Sequence, residues 1–190
     1  RRFQVPITVA VGTGAALALL ASIAISVFPQ SPTVLLSSLF VCGCLAFLFA
    51  MYWDAADTRR VTRKSDVAFW LHLLAAPLMI HPVFSSLGVL DGNDSLNIMV
   101  LIVVLYVFMT VLSISIDRRA FMVSSLMYVM YALSSLIENY GGVGYSLAVT
   151  GVVMGVSLLM LSIYWQAVRR MFLARLPARI RGYLPAANLG

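Results

Sequence analysis

The stretch DAADTRRVTRKSDVAFWLH, residues 54–72, separates two long apolar runs, and its reading decides the fold. On one side lies the run 33–53 and on the other the run 67–90. Each matches the roughly 20 mostly apolar residues needed to cross a hydrocarbon layer about 30 Å thick. The charged stretch is therefore read as a short loop between two membrane spans, with AFWLH the start of the second.

Working outward, the same criterion predicts six spans, at about 5–28, 33–53, 67–90, 96–116, 121–137 and 145–168. The breaks have local causes: PQSP (29–32) is a proline turn, DGNDS (91–95) a polar turn and ENYGG (138–142) a glycine turn. Composition agrees. The chain has 190 residues, of which 62% are hydrophobic and 11% charged, against about 25% charged in a soluble domain. The expected fold is all-α: a polytopic membrane protein with six transmembrane helices in residues 1–168, followed by a short amphipathic, basic segment, 169–190. Because the first residue is Arg1 rather than Met, the sequence is read as part of a longer chain, and residues before it are left open as a further domain.

Charge placement predicts orientation. All 13 Lys and Arg residues fall at the two ends or in the second and fourth connections, while Asp91, Asp94 and Glu138 lie in the others. By the positive-inside rule both termini face the cytoplasm of a bacterial inner membrane, or the matrix if the membrane is mitochondrial. This distribution also turns the net charge of +6 away from nucleic acid and towards anionic lipid head groups. Arg169, Arg170, Arg175, Arg179 and Arg181, interleaved with Met171, Phe172, Leu173 and Leu176, suit an interfacial helix on such lipids.

Polar residues at membrane depth are the default functional candidates. His72 lies five residues past the predicted edge of its span, about 7–8 Å deep at 1.5 Å per residue. His81 follows nine residues later, on the opposite helix face. That placement rules out one metal ion or haem held by both histidines of a regular helix. No cofactor, metal site or catalytic set is expected, as no Ser–His–acid, HExxH, Walker or dinucleotide pattern occurs. Pro77 and Pro82 remove the backbone bonds to the carbonyls of Leu73 and Leu78, which predicts either a broken helix with His81 on a polar path or a kinked helix near the interface. Asp54 and Asp57, at the end of the second span, are expected as loop carboxylates paired with Arg59, Arg60 or Arg63. Asp66 and Ser65 compete to cap the third helix. Cys42 and Cys44, two apart on one helix, read as small packing residues rather than a disulfide or metal pair. Gly151 and Gly155, in GVVMG, mark a close helix contact and with it homo- or hetero-oligomerisation; Ala10 and Gly14 repeat the spacing. DTRR in the second connection and DRR in the fourth leave open a duplicated hairpin.

The segments DTRRVTRKSDVAFWLHLLAAPLMIHP and SIDRRAFMVSSLMYVMYAL resemble parts of uncharacterised multi-pass bacterial inner-membrane proteins. The resemblance covers about the middle third of the chain, implies a short helical region ahead of the first span, and singles out Asp66, Trp70, His72, Pro77 and His81. It implies no activity. Three functions follow in order of preference: a non-enzymatic accessory or scaffold subunit of a membrane assembly, a small oligomeric transporter or channel with a broken third helix, and an intramembrane metal-dependent or lipid-modifying enzyme.

Overall fold

The computed structural model describes residues 5–29, 31–58, 61–88, 95–141 and 146–175, and among them every regular element is helical. Six helices follow in order: α1 (Pro6–Val27), α2 (Pro32–Ala55), α3 (Lys64–Ser86), α4 (Leu96–Ile116), α5 (Ala120–Gly141) and α6 (Ser146–Ala174). All six contain a stretch long and apolar enough to span a membrane. The chain is a polytopic helix bundle, as its composition requires.

Local chemistry sets the ends. Pro6 and Pro32 open α1 and α2, where a missing N–H is harmless and φ is already helical. Ser31 Oγ accepts the Val34 N–H at 3.3 Å as the cap of α2. α4 stops at Asp117, which adopts the left-handed conformation (φ 59°) and returns its N–H to the Ile114 carbonyl. α3 gives way to a turn at Gly88, whose φ of 70° suits a residue without Cβ.

Two boundaries differ from the sequence expectation. α3 begins at Lys64, so Ser65 and Asp66 lie inside its first turn instead of capping it; there the Asp66 charge complements the helix dipole. α6 continues six residues past Val168 to Ala174, so Arg169, Arg170 and the MFLA sequence extend the last span instead of starting a separate interfacial helix. The remainder of the tail, with Arg179 and Arg181, lies outside the described residues.

The described helices fall into two compact units, the boundary lying within α3 between Val83 and Phe84. In the first unit small residues line the helix contacts. Ala10, Leu17 and Ala21 of α1 are buried, as are Cys42, Ala46 and Ala50 of α2 and Val67, Ala68, Leu71, Ala75 and Ala76 of α3. With lipid as apolar as leucine, close backbone approach rather than hydrophobic exclusion holds such helices together. Cys42 fits this role, its thiol donating to the Leu17 carbonyl of α1 at 3.5 Å. A Cβ added at Gly14 would lie 3.6 Å from the Leu74 methyls of α3, ordinary van der Waals contact. The second unit packs Ile114, Met122 and Trp165 into one cluster and stacks Phe84 on Tyr128 with ring centroids 4.6 Å apart.

Candidate functional site

Within the first unit α2 and α3 form an antiparallel hairpin, and their polar groups meet inside it. His72 Nε2 lies 2.8 Å from Asp54 Oδ2, and both side chains are fully buried. Helical Cα–Cβ bonds tilt towards the N-terminus. The His72 ring therefore reaches back towards the start of α3, where α2 ends. The two side chains share one hydrogen bond between Nε2 and Oδ2, its donor set by the tautomer and ionisation of the pair. Phe47 packs its edge against the imidazole, 5.6 Å between centroids and 63° between planes. Asp54 is thus a buried residue at the end of α2, whereas its sequence neighbourhood places it among the arginines of the loop.

Asp57 has a different task. Its Oδ2 accepts the Thr62 N–H at 2.8 Å and the Thr62 hydroxyl at 2.6 Å, and its Oδ1 accepts the Val61 N–H at 3.3 Å. One carboxylate thereby organises the loop that presents Arg63 and Lys64 at the start of α3. Arg59 and Arg60, also expected as partners of the two aspartates, lie outside the described residues.

The rest of α3 is unbroken. The helix runs through Pro77 and Pro82 to Ser86, with Pro77 exposed and Pro82 buried. His81 is exposed while His72 is buried, the opposite-face arrangement that nine residues of helix dictate. His81 therefore stands apart from the Asp54–His72 pair. Among the described residues, no three His, Cys, Asp or Glu side chains converge as a metal-ligand set. Three clefts among the described residues of the first unit are lined by residues other than Asp54 and His72.

In the second unit a comparable acidic position sits in another setting. Trp165 Nε1 donates to Asp117 Oδ1 at 2.7 Å. Arg169, fully buried, donates through Nε to the Ile114 carbonyl at 3.3 Å and stands 3.8 Å from Asp117. Arg119 lies over the Trp165 ring at 4.9 Å and reaches Ser162 Oγ at 3.3 Å. Here a cation meets the C-terminal carbonyls of a helix, a favourable dipole contact. Arg169, expected at lipid head groups, is a structural clamp between α4 and α6; Arg170 and Arg175 are exposed. The two loops share an aspartate followed by arginines but use it differently.

A Cβ added at Gly151 or Gly155 would meet nothing within 4 Å. Gly43 of α2, which no sequence motif singles out, is the opposite case: an added Cβ would lie 2.7 Å from Met79 Cγ and 2.8 Å from the Met79 backbone nitrogen. The intrachain close approach is thus at Gly43. Its signal lies in CGCLAFLFA, where small residues recur along one face of α2.

Compared with known proteins, the chain matches no family model, no curated protein and no solved structure. The class that the fold defines is that of a multi-pass, all-helical membrane protein; any particular role rests on the chain's own chemistry.

Proposed function

We propose that the chain is a non-enzymatic accessory or scaffold subunit of an assembly in the bacterial inner membrane, with both termini on the cytoplasmic side. The observation that carries this reading is the state of α6. Only 11% of its apolar span is buried, against 50% for α3, yet its end is clamped through Trp165 and Arg169. Gly151 and Gly155 lie in that uncovered span with open space in front of them, and small residues four apart let a second helix backbone approach. The one-sided arginine distribution supports the orientation.

Substituting isoleucine at both Gly151 and Gly155 is expected to reduce the cross-linked or co-purifying species by about tenfold, the equivalent of ~1.4 kcal/mol, while leaving helix content unchanged. Native mass spectrometry of protein extracted in mild detergent measures this. A wild-type chain recovered alone, or a variant that associates equally well, refutes the role of this face.

A second reading, a proton-linked transporter, is favoured by the buried Asp54–His72 pair, since ionisable groups at depth mark proton relays. It predicts that purified protein in liposomes carries proton flux under a potassium-diffusion potential and that His72→Gln abolishes it. Flux at the level of empty liposomes excludes it.

A further inference from the structure

The Asp54–His72 pair has no exposed surface, so any proton it exchanges must cross packed side chains. One cleft comes close to it. The start of α1, the end of α2 and the start of α3 line a space of about 450 Å³. Its wall includes Val67 and Trp53, and Trp53 is the chain neighbour of Asp54. Both pack with Ala50 and Leu71, and Leu71 is the chain neighbour of His72. We propose that this cleft is the path by which water and protons reach Asp54–His72, with the Trp53 indole as the barrier that closes it. The inference rests on the proton-relay reading of the pair and names the end from which that relay is loaded.

The mouth of the cleft is polar. Thr62, Arg63 and Lys64 line it, and all three are exposed; basic residues at the end of a span lie at the water interface. Length favours the same end. From Lys64 to His72 is about 12 Å of helix, whereas from His72 to Ser86, the far end of α3, is about 21 Å. A second cleft, between α1 and α3, also touches a neighbour of His72, Leu73, but alanine, glycine, valine, isoleucine, leucine and tryptophan line it. Such a surface takes acyl chains rather than water. Trp53 suits a barrier. It is half-buried and the bulkiest side chain of the wall, and its ring meets Phe49 and Tyr52 edge-on, both exposed. A change of Trp53 rotamer therefore displaces surface rings and leaves the small-residue contacts of α2 and α3 in place.

The chain has two histidines, His81 exposed and His72 buried, so one reagent reads the path with its own reference. The full chain in liposomes is treated with diethyl pyrocarbonate, and the modification of each histidine is followed by mass spectrometry. In the wild type His81 is expected to react and His72 to be protected. Trp53→Ala is expected to raise the His72 rate by about tenfold, the scale of a small local opening, with His81 unchanged. Thr8→Trp, at an exposed position lining the same cleft, is expected to restore protection when added to Trp53→Ala. Leu48→Ala, exposed on α2 and outside the cleft lining, is expected to leave His72 protected. Where Trp53→Ala does not fold, Val67→Ala is expected to open the same wall. Continued protection of His72 in the opened variants, or equal labelling in Leu48→Ala, overturns the proposal. Labelling measures access and not flux, so a chain that carries no protons but opens at Trp53 would end the relay reading and keep the path.

Discussion

Replacing Gly43 by leucine is expected to prevent α2 and α3 from closing and to leave little monodisperse protein in detergent. The reason is the nature of the obstacle. An added Cβ meets not only the flexible Met79 side chain but also the Met79 nitrogen at 2.8 Å and the Leu78 carbonyl carbon at 2.9 Å. Backbone atoms in a helix do not move aside individually, so the helices must separate. Even Gly43→Ala is expected to cost about 1–3 kcal/mol, the usual range for overpacking, read as a lower midpoint in thermal or denaturant unfolding. Gly151→Ala, with open space around it, is the matched control and should leave intrachain stability unchanged. A Gly43→Ala variant as stable as wild type would mean that the two helices do not meet at this glycine.

The second large effect concerns the Asp54–His72 pair, and its signature is asymmetry. His72→Ala takes the imidazole from a fully buried carboxylate, and breaking a buried pair by removing one partner costs about 3–5 kcal/mol, because the other charge is left uncompensated. Asp54→Ala leaves a histidine that can remain neutral, so only an interhelical hydrogen bond is lost, about 1–2 kcal/mol. The histidine change should therefore be the more damaging. Combining Asp54→Leu with His72→Phe, which removes both polar groups, should recover part of the loss, as replacing a buried pair by apolar residues often does. Unfolding midpoints of the four proteins decide the matter; equal losses from both single changes, summing in the double, would show that the two side chains are not coupled.

The spans were legible because hydropathy and helix-ending residues are local properties. Pro32, in PQSP, opens α2 without reference to the rest of the chain. What escaped the sequence depends on register between helices. Asp54 lies one residue from the end of α2, next to arginines, and proximity in sequence favours an arginine partner. Only the antiparallel closure of α2 on α3, with Gly43 against Met79, brings residue 54 level with residue 72. Arg169 misled in the same manner. An arginine at the end of a span usually snorkels to the interface, but here the Ile114 carbonyl and Asp117 are within reach. The glycine spacing in GVVMG was visible, yet spacing cannot tell whether the facing helix belongs to the same chain.

The separation of Asp54 from His72 by 18 residues has a consequence during synthesis. Chains emerge N-terminus first at about 5–20 residues per second, so for roughly one to four seconds the carboxylate at the end of α2 exists without the imidazole that will face it. The translocating machinery handles a segment whose last turn favours water until its successor arrives. α2 and α3 are therefore suited to partition into the bilayer as one hairpin, and a ribosome pause placed between them would strand the first half at the membrane surface.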